Sequence, residues 1–447
     1  MAAKMDPKSM AGDADRNLNA VPHAKSKPLY LTTKNPREAA YLAVLISLRE
    51  GSFASELLDA WKQYEAPNPL DFKLAREIAF GTIRMALSLD FLAEKISKKQ
   101  KLNLKAKEKV LMRTALYQFY YMDRIPPFAI VNETINIAKK YCHETFVRFL
   151  NASLRKISNE KPELPKGDSL NELSLRFSYP EYFVQELLQD FGLEKAISIM
   201  QAGNQPAPTM VRLRASTKVD KVGLEMISGT LCPMAYVRDA SVIKEISEFP
   251  DYYIQNATPA HLIYELAQHS AAPATALDLC SSPGGKLIAL HDIFPQTALY
   301  ANDVLPNKIK TLQENCAKYG INAVLTCVQG ENYKTDKPFD LVILDVPCSN
   351  SGVLNKRPEA RWRISKQSLD ELEGLQMRLL KNAADLISDD GEIWYMTCSI
   401  LEKENLRLIE KACNLLSIQI RHKVSILPNQ EGWDGGFACI LKKAKKA

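Results

Sequence analysis

Between residues 275 and 441 the chain alternates short apolar segments with helix-like stretches, and this constrains the fold more than any other feature. The segments are 275–279, 298–302, 323–328, 339–344, 392–397 and 437–441. Strands separated by helices at this spacing make βαβ units, and right-handed crossovers turn these into a mainly parallel sheet. The segment at Phe339 shows how such a strand ends. Leu341, Val342, Ile343 and Leu344 are apolar without alternation, as in a strand buried on both faces. Pro347 cannot donate a ladder hydrogen bond, so the chain must leave the sheet there. Asp345 and Cys348 then lie at the carboxyl end of a core strand, where open α/β sheets place their chemistry.

A single free cysteine more often packs than reacts. Here a second strand, residues 392–397, also delivers a thiol at its exit, in Thr397-Cys398-Ser399. Two strand exits each carrying a thiol form a rarer arrangement, which makes chemistry at Cys348 and Cys398 the better reading.

A third exit reads Leu277-Asp278-Leu279-Cys280-Ser281-Ser282-Pro283-Gly284-Gly285-Lys286 and runs into a helix. A glycine-rich turn lets a ligand approach the backbone, and the helix N-terminus offers free amides. Neither G-x-G-x-x-G nor G-x-x-x-x-G-K-[ST] is present, which excludes the dinucleotide fingerprint and the phosphate loop. A nucleoside bearing a carboxylate fits, with Asp303 at the next exit accepting from ribose hydroxyls. Cys280 is expected only to pack. After Cys348 the chain turns basic, with Lys356, Arg357, Arg361, Trp362 and Arg363 expected to bind phosphates and stack a base.

Residues 1–33 are polar and without periodicity, and are expected to be a disordered tail. Residues 34–160 show helical stripes such as Leu111, Ala115, Phe119 and Met122, which read as an all-α bundle core. This region, with the tail, holds 26 Lys and Arg against 17 Asp and Glu, a surplus of nine, while the whole chain is only +6. Such asymmetry fits a basic arm that meets a polyanion. Residues 161–205 read as a linker with one helix, 206–252 as a small α/β module, and 253–447 as the main α/β domain. Nine cysteines with no C-x-x-C pair argue against a disulfide framework and a zinc ribbon, so no metal site is expected. No apolar run reaches the roughly 18 residues of a membrane span, and no signal peptide is visible. A cytoplasmic monomer without membrane contact is expected.

Three motifs in this order, D-x-C-x-x-P-G-G-K at 278–286, D-x-P-C-S-x-x-G at 345–352 and T-C-S at 397–399, resemble those of the S-adenosylmethionine-dependent RNA cytosine-5 methyltransferases. Upstream, A-R-E-I-A-F-G-T-I-R at 75–84, Ile125-Pro126-Pro127 with Asn132-Glu133, and F-L-N-A-S-L-R at 149–155 resemble the NusB-type RNA-binding domain. The pairing points to the Sun/RsmB-like branch, whose substrate is 16S ribosomal RNA or a partly assembled small subunit. The resemblance implies a NusB-like bundle, an RRM-like module at 206–252 and a Rossmann-like methyltransferase domain. It implies that Cys398 attacks C6 of a cytosine, that Asp345 holds the base edge, and that Cys348 helps remove the C5 proton. The implied cofactor contacts are Cys280, Ser281, Ser282, Pro283, Gly284, Gly285, Lys286, Asp303, Lys308, Glu331 and Asp345. Glu331 stands in for an acid absent after the third strand, Lys308 replaces a common Arg, and Leu287 a common Thr. Asp434-Gly435-Gly436-Phe437 lacks one aromatic of the usual pattern. A DNA cytosine-5 methyltransferase and a non-enzymatic RNA-binding assembly or antitermination factor are the alternatives. The second thiol and the basic helical domain oppose the former, and the intact thiols and glycine loop the latter.

Overall fold

The computed structural model describes residues 32–97, 101–159, 161–214 and 223–444. The expected tail lies, but for its last residues, outside them.

Seven helices form the N-terminal bundle: α1 (Pro36–Glu50), α2 (Ala54–Glu65), α3 (Pro69–Arg84), α4 (Ala86–Ser97), α5 (Ala106–Tyr121), α6 (Pro127–Tyr141) and α7 (Glu144–Asn159). Their starts follow from local chemistry. Asn35 Oδ1 accepts from the amides of Arg37 and Glu38, and Pro36 sits in the first turn, where no amide partner is needed. Asn68-Pro69 repeats the device at α3. Leu111, Ala115 and Phe119 enter the bundle core with Tyr41, Trp61, Ile78 and Leu150.

The stretch read as a linker with one helix holds a packed helical pair, α8 (Leu170–Phe177) and α9 (Glu181–Asn204), the latter broken at Gly192. Leu173, Tyr179, Phe183 and Leu187 share a buried cluster with Leu354, Ala360, Ile364 and Leu401 of the C-terminal domain. Pro162 and Pro165 lie between α7 and α8, and the apolar faces that follow need a partner, which is remote in sequence.

A four-stranded antiparallel sheet follows, from β1 (Met210–Leu213), β2 (Leu224–Met226), β3 (Met234–Val237) and, after α10 (Ile243–Glu248), β4 (Tyr252–Ile254), in the order β2-β3-β1-β4. Its last strand extends two residues past the expected boundary.

The C-terminal domain holds α11 (Ala257–Gln268), β5 (Thr275–Asp278), α12 (Gly285–Ile293), β6 (Ala298–Asn302), α13 (Pro306–Tyr319), β7 (Ala323–Thr326), β8 (Phe339–Asp345), α14 (Lys366–Leu386), β9 (Ile387–Thr397), α15 (Leu406–Leu416), β10 (Ile418–Ile426) and β11 (Gly436–Lys443). The sheet order is β10-β11-β9-β8-β5-β6-β7. The five strands β5 to β9 are parallel; β11 pairs antiparallel with β9, and β10 pairs antiparallel with β11. β5 has β6 on one side and β8 on the other, so the chain reverses its direction of travel across the sheet there, the position at which open sheets leave a crevice. Buried clusters cover both faces of the sheet. Among the described residues no helix is long and apolar enough to cross a membrane.

Candidate active site

The exits of β5, β6, β8 and β9 meet in one crevice. The β5 exit turns at Gly284, whose φ of +103° a side chain rarely adopts, and passes directly into α12. Asp278, at the end of β5, is buried; its Oδ2 accepts from Ser281 Oγ at 2.9 Å, while its Oδ1 has no hydrogen-bond partner. Burial first, and the neighbouring Asp345 carboxylate second, push the Asp278 carboxyl up to about 7. Asp303, beyond β6, is also buried, and accepts from the amides of Ser282 at 3.2 Å and Val304 at 2.8 Å. Lys308 lies exposed 3.5 Å from Asp303. Glu331 is half-buried on a single helical turn, Gly330–Asn332, pinned by Asn382 Nδ2 on the Gly330 carbonyl at 2.7 Å.

Lys286, from the first turn of α12, reaches across and ion-pairs with Asp345 at the end of β8. Burial opposes the Lys286 charge, but Asp345, Cys398 and Asp278 outweigh it, and the ammonium is held above its ordinary value. The first and second sequence motifs are therefore joined by an ion pair, with a cation beside Cys398. Cys280 is different: burial, then the surrounding carboxylates, push its thiol far up, as expected of a packing residue.

The two thiols converge. Cys348 Sγ lies 2.9 Å from Cys398 Sγ, and Cys398 Sγ lies 3.4 Å from Asn350 Oδ1. Asn350 takes a left-handed φ of +59°, tolerable for Asn, and its Nδ2 bonds the Cys348 carbonyl at 3.0 Å. The hydrogen bond to Cys398, then burial, then the nearby charges, hold the Cys348 thiol well above its ordinary value.

Backbone contacts lock the two loops together. Gly352 N donates to the Cys398 carbonyl at 3.0 Å, and Gly435 N to the Gly352 carbonyl at 2.7 Å. A Cβ on Gly352 would stand 2.5 Å from the Gly435 oxygen and 2.7 Å from the Cys398 oxygen, so only glycine fits. Beneath the thiols lies Glu404, fully buried. It accepts from Ser349 N at 2.8 Å, Ser349 Oγ and Ser399 Oγ at 2.5 Å each, and Gln376 Nε2 at 3.1 Å. One carboxylate thus holds the residue that follows each thiol. Sequence reasoning missed Glu404 and Gln376. The Glu-Lys-Glu run at 402–404 is indistinguishable from a solvated turn until the sheet buries one of its acids.

The basic run requires a correction. Arg361 was expected on an RNA-facing surface, but it is completely buried. Its guanidinium donates to the carbonyls of Arg84 at 3.1 Å, Ser178 at 3.2 Å and Gly203 at 3.2 Å, and to Asn204 Oδ1 at 2.8 Å. Trp362 packs on the helical bundle and donates to the Ile83 carbonyl at 2.9 Å. These two residues tie the catalytic-loop segment to α3, α8 and α9; carbonyls at helix ends meet a guanidinium there. Lys356 pairs with Asp434 at 2.7 Å, Arg357 is exposed and reaches Asn350 Oδ1 at 3.1 Å, and Arg363 is exposed with one bond to the Gly51 carbonyl. Only Arg357 and Arg363 of the five present an exposed charge.

Residues 266–441 match the model of the family described as 16S rRNA methyltransferase RsmB/F, and residues 34–159 match the NusB family. The chain is 26% identical over 443 residues to "Probable ribosomal RNA small subunit methyltransferase B" of Bacillus subtilis (strain 168), covering 90% of this chain and 97% of that protein. It is 26% identical over 388 residues to "Ribosomal RNA small subunit methyltransferase B" of Shigella sonnei (strain Ss046), covering 83% and 88%. The crystal structure of PH0851 shares the fold, with a TM-score of 0.71 and 20% identity over 94% of this chain and all of that one.

The crevice fits the family's cofactor. Carboxylates at three neighbouring strand exits, one with an unpartnered buried oxygen, suit a ligand that brings hydroxyls and positive charge, as S-adenosylmethionine does through its ribose, ammonium and sulfonium. With a NusB-family bundle at 34–159 and a domain at 266–441 that matches the RsmB/F methyltransferase model, the chain is an S-adenosylmethionine-dependent RNA methyltransferase.

Proposed function

We propose that the protein methylates C5 of a cytosine in small-subunit ribosomal RNA through a covalent bond between Cys398 and C6. The observation that carries this reading is the pair of sulfurs 2.9 Å apart, on two strand exits, beside the Lys286–Asp345 ion pair. S-adenosylmethionine supplies the electrophilic methyl group when bound; Asp303, the 280–286 loop and the free oxygen of Asp278 are the residues to hold it.

The protein's own groups divide the remaining work. Cys348 is held as a thiol, which leaves Cys398, with the Lys286 ammonium near it, as the attacking sulfur. Cys398 attacks C6 of a base taken out of its stack, which places electron density on C5. Asp345 hydrogen-bonds the base edge at N3 and N4 as charge develops. The largest cause that keeps Cys348 protonated is Cys398 itself. Once Cys398 is bonded to carbon that cause is gone, so Cys348 can lose its proton to solvent and, as thiolate, take the one on C5. The C5–C6 double bond re-forms and the Cys398–C6 bond breaks.

The NusB-family bundle and exposed Arg357 and Arg363 supply affinity for the RNA backbone, and the four-stranded sheet at 210–254 acts as an RRM-like module. A ribosomal RNA substrate, free or in a partly assembled subunit, places the enzyme in the cytoplasm, acting as a monomer.

The thiol variants test the reading. Cys398→Ala should bind RNA and cofactor without forming an adduct. Cys348→Ala should accumulate a protein–RNA adduct that survives denaturing gels and disappears on ribonuclease treatment. The double variant should lose the adduct. If Cys398→Ala traps RNA instead, the roles are reversed; if neither affects methylation, the covalent reading fails.

A further inference from the structure

A second cluster lies away from the crevice. Glu265 and His269 are one turn apart at the C-terminal end of α11, and His422 projects from the edge strand β10. His422 pairs with Ile440 of β11, which pairs with Trp394 of β9, so the cluster stands two strands out from β9 and four residues upstream of Cys398. Glu265 Oε1 lies 3.3 Å from His269 Nε2 and 3.2 Å from His422 Nε2. One donor atom from each of the three residues falls within 4.8 Å of the other two. The imidazole rings stack with centroids 3.7 Å apart and planes 23° apart.

The His422–Glu265 contact is a hydrogen bond at the long end of the usual range of about 2.7–3.2 Å, and the His269–Glu265 contact lies just beyond it. A charge-assisted bond to a carboxylate is ordinarily shorter, about 2.7–2.9 Å. Both nitrogens thus stand back from the same oxygen. Zinc binds imidazole nitrogen and carboxylate oxygen at about 2.0–2.1 Å, and the edge of a tetrahedron with such bonds is about 3.3 Å. The two observed separations match that edge. Side-chain exposures of 22% for Glu265, 24% for His422 and 46% for His269 leave the cluster open on one side, so water can complete the coordination.

We propose that Glu265, His269 and His422 form a binding site for a divalent transition-metal ion, with zinc as the reference ion. The site is structural. It clips the edge strand β10 to α11, whose other contacts with the sheet are apolar, and fastens an otherwise open sheet edge. No residue of the methylation crevice takes part, so the proposal stands independently of the reaction.

The test is zinc titration by calorimetry on full-length protein freed of metal by chelation, comparing wild type with His422→Ala and Glu265→Gln. Because nine cysteines can also bind zinc, cobalt(II) is titrated in parallel. Wild type should bind one equivalent more than His422→Ala, and the cobalt bound at that step should show visible d–d absorption without a thiolate charge-transfer band. Glu265→Gln should bind at least about tenfold more weakly, in keeping with the sensitivity of metal sites to their ligand surroundings. Zinc should raise the thermal midpoint of wild type and not of His422→Ala, with cofactor affinity equal in both. Equal zinc stoichiometry and affinity in wild type and both variants, or a cobalt spectrum with thiolate character only, overturns the proposal.

Discussion

Cys348 and Cys398 are fifty residues apart in the chain, and their sulfurs are 2.9 Å apart in the fold. A disulfide requires about 2.05 Å, so a shift of less than about 1 Å would join them. Oxidation with diamide is therefore expected to cross-link this pair and abolish methylation, with recovery in dithiothreitol. Peptide mass spectrometry would identify the 348–398 cross-link. Modification of exposed Cys327 alone, with activity lost, would contradict this expectation.

Glu404 should control the geometry of both thiols. A hydrogen bond to a buried charge contributes about 1.5–3 kcal/mol, so Glu404→Ala is expected to cost at least that much stability in urea unfolding. The methylation rate should fall more than about tenfold, as expected when reacting groups are misplaced by about 1 Å. Affinity for S-adenosylmethionine should be unchanged, because the cofactor loop makes no contact with Glu404. Glu404→Gln should recover part of the rate. Full activity in a folded Glu404→Ala would mean that the backbone contacts of Gly352 suffice.

Arg361 and Arg357 should behave as opposites. Arg361→Ala removes a buried guanidinium from four acceptors and should cost about 2–4 kcal/mol of stability, measured by denaturant titration. It should leave the dependence of log K for RNA on log salt unchanged. Arg357→Ala should leave stability within about 0.5 kcal/mol and lower that salt slope by about one. A lowered slope for Arg361→Ala would restore the surface role expected from its sequence context.

Asp278 gives a pH dependence with a definite sign. Its carboxyl is raised from 3.8 to about 7, so the folded protein binds this proton more tightly than the unfolded chain. The stability this contributes is full below about pH 4 and is lost as pH rises toward 7. Asp278→Asn should remove that loss. Without cofactor, it should be more stable than wild type at pH 8, and the advantage should shrink toward pH 5. Thermal unfolding at several pH values measures both, and a pH-independent difference would place the proton elsewhere.

What the sequence alone determined follows from short-range physics. Apolar runs without alternation mark strands, helix caps are set within four residues, and Pro347 ends a strand wherever it occurs. Residues 298–302 were read as a strand with the observed limits, and the order of strands and helices implied a parallel sheet. β10 was missed, although Ile418 to Ile426 alternates in burial as an edge strand should. β9 begins at Ile387, five residues before the expected start, because Ser388, Asp389 and Asp390 interrupt its apolar pattern and are partly or fully exposed.

Tertiary structure decided where charges and thiols end up. Arg361 is interior because carbonyls from α3, α8 and α9 converge on it across as many as 277 residues. Trp362 packs on the helical bundle for the same reason. Glu404 acquires its donors from the β8 and β9 exits and from Gln376 of α14, and Glu265 meets His422 only because β10 lies beside α11. Backbone propensity acts over a few neighbours and can be read along the chain. The partner of a buried charge is chosen by desolvation, which acts on whatever polar group the folded chain brings into contact.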